Sequence, residues 1–393
     1  MKRPAHRRLS AVPLLLATVV VTLVSGCSAA GSTSASGGNS NSDAAQHADA
    51  ALKALEGKVL STGPNGEEAS SVDTVQVTDA QVAQVKAMGA TAAIVMHYGG
   101  NDWSTAQIAG LKSEFGRLGI KVVATTDANF KPEQQVSDLE TVSAQHPNVI
   151  VSIPTDPVAT ASAYRAAAQA GAKLVFMDNV PKGFVAGTDY VSMVSADNYG
   201  NGVVSAHLLA KSLGGSGKIG VIYHNADFFV TQQRYDGFKK TIASDYPGIS
   251  IVADQGIAGP DFAGDAQSAA NAMLSQHPDL NAIWAVWDVP AEGVMAAARN
   301  AGRADLKIAT QDLGLNVAIA LAKDQLVVGL GAQRPFDQGV TEARLAALSL
   351  IGQQTPAYVA LPALPVTHAN VLDAWKQVYH SDPPADLASA YKN

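Results

Sequence analysis

A chain of 393 residues, 47% hydrophobic and 16% charged, has a globular composition and room for two domains of about 100–200 residues each. Its 27 Lys and Arg against 34 Asp and Glu give a net charge of −7, which speaks against nucleic-acid binding, a function that usually needs a basic face. The single cysteine excludes an intrachain disulfide framework and any multi-cysteine zinc or iron–sulfur site. Aromatic residues make up only 6%, so the core must be built mainly from Ala, Val, Leu and Ile.

The N-terminus reads as an address. Lys2, Arg3, Arg7 and Arg8 precede an apolar run over residues 11–24, too short for a comfortable membrane span and flanked like a secretory signal peptide. The run ends in Leu23-Val24-Ser25-Gly26-Cys27, which resembles a bacterial lipobox; a chance cysteine closing an ordinary signal peptide is the alternative. On the lipobox reading residues 1–26 are removed and Cys27 carries the lipid. Removal takes away four basic and no acidic residues, so the body becomes more acidic. A polybasic membrane contact is then implausible, and the lipid itself would hold the protein outside the cell membrane. Residues 27–44, rich in Ser, Gly and Ala, have too few large apolar groups to order and read as a flexible tether.

Beyond the tether, residues 45–90 read as a helix (45–55), a loop and a second helix (80–88), an extension without an assigned role. Short apolar runs then alternate with helical patterns. Strands are predicted at 92–96, 121–125, 149–153, 174–177, 191–194, 219–223, 251–253, 282–286, 308–310 and 327–331. Most are continuous apolar runs, as suits parallel strands covered on both faces. Ile108, Leu111, Phe115 and Leu118 share one helical face. Val203, Ala206, Leu209, Ala210 and Leu213 share another, and Val294, Ala297 and Ala298 a third. Gly119, Gly171, Gly214 and Gly302 stand where helices end. The alternation indicates an α/β fold with two doubly wound, Rossmann-like lobes.

Ligands of such sheets bind beyond the carboxyl ends of the strands. The residues there are polar or aromatic: the run from His97 and Tyr98 to Trp103, Pro154-Thr155-Asp156, Asp178-Asn179, His224-Asn225, Trp287-Asp288, Gln311-Asp312 and Gln333-Arg334. Enzyme motifs fail. Gly215–Gly220 fits G-x-G-x-x-G but follows a helix and leads into a strand, so it reads as a turn. The nine histidines contain no i, i+4 pair, and G-x-S-x-G is absent. No catalytic residue, metal site or cofactor is expected.

From about residue 91 to 367 the chain resembles the type I periplasmic substrate-binding proteins of sugar ABC transporters, in their ribose-binding, LacI-like branch. Asn101-Asp102-Trp103 matches the family's Asn-x-aromatic, Pro154-Thr155-Asp156 its P-T-D turn, and Arg234-x-x-Gly237-Phe238 its R-x-x-G-F. Asp178 ends the fourth strand. Asp288, Asp312 and Gln333 fall where the family has an N-D pair, an Asp after a strand, and a hinge Gln.

The resemblance implies two lobes joined by three crossings near 195–196, 333 and 362. The N-terminal lobe would hold 91–195 plus 334–362, and the C-terminal lobe 196–333 plus 363–393. It also implies a monomeric binding protein, not an enzyme, that hands a small neutral carbohydrate or polyol to an ABC transporter permease. A receptor feeding a sensor kinase or chemotaxis partner is the alternative, and an extracytoplasmic hydrolase a more remote one. The implied ligand-binding residues are Asn101, Trp103, Asp178, Asn179, Arg234, Phe262, Trp287, Asp288, Asp312 and Gln333. Arg and carboxylates would pair with hydroxyls, and aromatic faces would cover C–H surfaces.

Structural roles compete for several of these residues. Asp178 and Asp312 could cap helices, Arg234 could form a surface ion pair, Trp287 could be core, and Phe262 could anchor a loop. His97 and Tyr98 are open to either role, Trp284 reads as core, and Asp102 as a helix cap. The chain departs from ribose-type members at Ile153, Asn179 and Trp287, where they carry Asn, Arg and Asn. Two polar groups are lost and one position becomes bulky, which favours a pentose, tetrose or short polyol over a disaccharide.

Overall fold

The computed structural model describes residues 39–391. Its first half, in chain order, contains α1 (Asn39–Leu55), α2 (Asp79–Met88), β1 (Thr91–Met96), α3 (Asp102–Leu118), β2 (Lys121–Asp127), α4 (Pro132–Ser143), β3 (Val149–Ser152), α5 (Ala161–Gln169), β4 (Lys173–Met177) and β5 (Ser192–Ala196). The chain continues with α6 (Asn198–Ser212), β6 (Ser216–His224), α7 (Phe229–Asp245), β7 (Gly248–Ile257), α8 (Phe262–Gln276), β8 (Ala282–Ala285), α9 (Asp288–Asn300), β9 (Lys307–Gln311), α10 (Leu315–Ala322) and β10 (Val327–Ala332). Last come α11 (Pro335–Leu350), β11 (Tyr358–Leu361), β12 (Leu364–Val366), α12 (Val371–Tyr379) and α13 (Ala385–Ala390).

The strands form two six-stranded sheets, ordered β11-β5-β4-β3-β1-β2 and β12-β10-β9-β8-β6-β7. Every pairing is parallel except β10 with β12. The two orders correspond strand for strand: β1 occupies the place of β6, β3 that of β8, and β4 that of β9. The central strands β3 and β8 are buried along their whole length, the condition that makes a strand read as an unbroken apolar run. Each sheet reverses its winding direction beside its third strand in sequence, and such a switch point opens a crevice at the carboxyl ends of the strands.

Three findings differ from the sequence reading. Helix α1 starts at Asn39, inside the segment read as tether, so only 27–38 remain to it; these, with Cys27 and the run read as a signal peptide, lie outside the described residues. The G-x-G-x-x-G run is not mostly a turn: β6 begins at Ser216, leaving Gly215 alone before the strand. The predicted strand at 251–253 is the middle of the longer β7, an edge strand whose exposed polar residues hide it from an apolar-run criterion.

The extension 45–90 bridges both halves. Helix α1 lies on α6, with Lys211 Nζ 2.5 Å from an Asp49 carboxylate oxygen. Further on, the backbone N–H groups of Leu60 and Ser61 and the Ser61 hydroxyl donate to the Asp197 carboxylate at 2.7–2.9 Å, where the chain leaves the first sheet for the second. Ser70 then pairs with the edge strand β11, and α2 buries Val82 and Val85 in the first half's core.

Candidate ligand-binding cleft

The carboxyl ends of both sheets face each other across a cavity of about 60 Å³. Its lining draws on both halves. The first supplies His97, Asn101, Trp103, Ile153 and Asp178; the second supplies His224, Arg234, Trp287, Asp288 and Asp312, with Gln333 just beyond the end of β10. The strand correspondence pairs His97, after β1, with His224 at the end of β6. It also pairs Asp178, after β4, with Asp312 after β9. Both aspartates adopt the left-handed backbone region, at φ 52° and 64°, which Asp tolerates better than most residues. Neither caps a helix, as each could have done: α10 starts from Gly314, and the Asp178 carboxylate turns to Ser195.

Local sequence explains each placement. The Asn101 side chain accepts the Ser104 N–H at 2.7 Å and so starts α3, which presents Trp103 two residues later. The P-T-D turn is structural. Gln135 accepts from the Thr155 backbone and hydroxyl, while Asp156 accepts from the backbone of Val158 and Ala159. In the R-x-x-G-F run, Gly237 sits where a Cβ would meet the Tyr199 carbonyl, and Gly202 where one would meet that of Arg234. These close approaches let α6 and α7 touch backbone to backbone, aiming Arg234 at the cleft. Phe238 stacks on the fully buried Trp284 with ring centroids 4.7 Å apart, confirming Trp284 as core.

Arg234 is not a surface ion pair. It is buried, and donates to Asp312 at 2.9 and 3.4 Å, to Asn198 Oδ1 at 2.9 Å and to the Val286 carbonyl at 3.2 Å. Burial pushes the Asp178 carboxyl up to about 6, against the opposing pull of the Ser195 hydroxyl and Arg234. Burial also raises Asp288 well above the ordinary carboxylate range, with Asp312 adding repulsion. Burial lowers His97 to about 3 and His224 to about 4, so both imidazoles are neutral at physiological pH.

Two expected ligand contacts do not line the cavity. Asn179 is buried and spends its amide on the Pro154 carbonyl at 3.0 Å, holding two strand-end loops together. Phe262 stands behind the wall, edge-on to Trp287 with centroids at 4.9 Å, and reaches across to Phe130 of the other half at 5.2 Å. Asp102 is not the cap of its helix; its carboxylate accepts the Leu315 N–H of α10 at 2.7 Å, from one half to the other. Trp287 and Ile153 do line the cavity. So do Phe130, Phe228, Val230 and Thr231, which sequence reasoning missed. They sit in loops or first helical turns with no motif, and only their position between the halves marks them.

Three lining residues leave a buried polar atom without a partner among the described residues: His97 Nδ1, Trp103 Nε1 and Gln333 Oε1. A buried polar group left unpaired costs about 1–3 kcal/mol, so these three are polar groups at the cavity that a guest could satisfy.

Two doubly wound sheets facing each other over such a cavity are the architecture of a two-lobed binding protein. Residues 92–354 match the family described as periplasmic binding protein domain, and the chain belongs to that family. It is a binding family, not an enzyme family. A D-ribose/D-allose-binding protein of Pseudomonas aeruginosa is 31% identical over 227 residues, 57% of this chain and 69% of its own length. A ribose import binding protein of Salmonella typhimurium is 26% identical over 271 residues, 68% of this chain and 87% of its own. Among solved structures, an ABC transporter solute-binding protein from Mycobacterium smegmatis with bound glycerol has a TM-score of 0.66 and 26% identity, over 75% of this chain and 99% of that one.

Proposed function

We propose that the chain is an extracytoplasmic, lipid-anchored receptor that closes on a small neutral sugar or polyol and delivers it to an ABC transporter permease. The observation that carries the reading is the set of three unpaired buried polar atoms around one small cavity, with the Arg234–Asp312 pair and Asp178 beside them. Carboxylates and a fixed guanidinium recognise hydroxyls through strong, directional hydrogen bonds. The relatives' names point the same way: ribose and allose for the curated proteins, glycerol for the Mycobacterium smegmatis structure.

Size narrows the ligand. At about 10–15 Å³ for each water-sized group, about 60 Å³ holds roughly four to six such groups. That is closest to a short polyol and far below a disaccharide, while a tetrose or pentose needs the cavity wall to give way. A thermal-shift screen of the purified protein against these classes tests it. Ligand at 100-fold above Kd stabilises by about 2.7 kcal/mol, so a true ligand raises the melting temperature. Tight binding of a disaccharide would overturn the size argument, and silence across all sugars and polyols would overturn the ligand class. Anchoring rests on the lipobox. A fatty-acid label should mark the wild type and vanish in Cys27→Ser; an unlabelled wild type removes the anchor.

A further inference from the structure

Away from the cleft, the N-terminal extension meets the second half at a group of side chains that sugar binding does not use. His47 on α1, His207 on α6 and Asp245 at the end of α7 bring one ligand atom each to within 4.8 Å of one another. His47 Nε2 and Asp245 Oδ2 are 3.7 Å apart. A tetrahedral zinc ion with bonds of about 2.0–2.1 Å spaces its ligands by about 3.3 Å, so small side-chain rotations bring these three onto one ion. Two imidazoles and a carboxylate on three different helices are a zinc-type donor set, with the fourth position left to water.

The surrounding groups already orient the donors as a metal requires. His207 Nδ1 lies 2.7 Å from the Tyr246 hydroxyl, which leaves Nε2 as the ring nitrogen free to ligate. The Ser244 hydroxyl donates to Asp245 Oδ1 at 2.6 Å, leaving Oδ2 toward His47. Metal-bound histidines almost always engage their second nitrogen in this way, and ligating carboxylates are themselves hydrogen-bonded. His207 is buried, whereas the side chains of His47 and Asp245 are 52% and 34% exposed, so an ion can enter from solvent.

We propose that His47, His207 and Asp245 form a divalent transition-metal site, zinc first, that staples the N-terminal helix to the second lobe. The test is zinc titration calorimetry on the tag-free full chain after chelator treatment. Expected is saturable binding of one Zn²⁺ per chain. Tyr246→Phe, which removes only the outer partner of His207, should weaken it about 10–100-fold. His47→Ala, a change at a half-exposed position, should weaken it at least as much. A wild type that shows no saturable site overturns the proposal. So does a His47→Ala variant that binds zinc as tightly as the wild type, because the metal is then held elsewhere.

Discussion

Arg234 is fixed by four hydrogen bonds to three residues, so it enters the cleft already oriented, and its neighbour Asp312 is neutralised before any ligand arrives. Removing it would leave a buried carboxylate unpaired. Arg234→Ala should therefore weaken binding of the best screen hit by about 2–5 kcal/mol. Arg234→Lys should not restore it, because an ammonium cannot serve Asp312, Asn198 and Val286 together from one planar fork. Calorimetry decides, with unfolding curves alongside; unchanged affinity would take Arg234 out of the site. His224 yields a pH prediction. Its folded pKa, about 4, lies below the ordinary 6.5 because burial disfavours the imidazolium. The unfolded chain thus takes up the proton first. The stability that depends on neutral His224 is complete above about pH 6.5 and is lost as pH falls toward 4. At about 1.4 kcal/mol per pH unit, the loss reaches about 3 kcal/mol. His224→Gln lacks this term, so wild type minus variant stability should drop by that amount between pH 7 and 4. Parallel stability curves in denaturant titrations would refute the burial effect.

The α6–α7 pair shows how an element sets a site. Gly202 and Gly237 are reciprocal contact points, each facing a carbonyl of the other helix, and Arg234 lies one helical turn before Gly237. Gly237→Ala should push the helices apart, destabilise the fold by about 1–3 kcal/mol as overpacking does, and weaken ligand binding through Arg234 without touching the ligand. Full stability and affinity in that variant would show that the close approach is dispensable. Elements of this kind were mostly legible in the sequence. The apolar stretches of ten strands and the faces of α3 and α9 follow from apolar runs and 3.6-residue spacing, whereas α6 is buried on nearly every side. The strands β11 and β12 did not, because they are four and three residues long and lie in a proline-punctuated run, Leu361-Pro362-Ala363-Leu364-Pro365. The site was legible at strand ends, where a general rule and short motifs point: Asn101, Trp103, Asp178, Arg234, Trp287, Asp288, Asp312 and Gln333 all line the cavity. It was not legible at Phe130 or Phe228, whose roles arise only when the halves meet. Asn179 misled because lying beside Asp178 on the chain does not place a side chain in the cavity, and Phe262 because it packs on Trp287 and Phe130 behind the wall.

At the scale of the molecule, the two halves meet through groups that neither could satisfy alone. Phe262 of the second half packs on Tyr98 and Phe130 of the first, and His97 stacks on Phe228 with centroids 5.6 Å apart. The Asp102 carboxylate accepts the first N–H of α10, a donor with no partner inside its own helix and at the end of the helix that attracts negative charge. These contacts join the halves over the cavity, and a ligand that touches both would favour this arrangement over one in which the halves separate. Solution scattering of the wild type should therefore show a smaller radius of gyration at saturating ligand, and an unchanged radius would count against closure. The Asp102 bond separates the latch from the ligand's own contacts. A hydrogen bond to a charged group contributes about 1.5–3 kcal/mol, toward the lower end here because the bond is only partly buried. Asp102→Ala should then need about tenfold more ligand for half-maximal compaction, yet reach the same compact state, since the cavity wall is intact. Equal ligand requirements in variant and wild type would show that the aromatic wall alone holds the halves together.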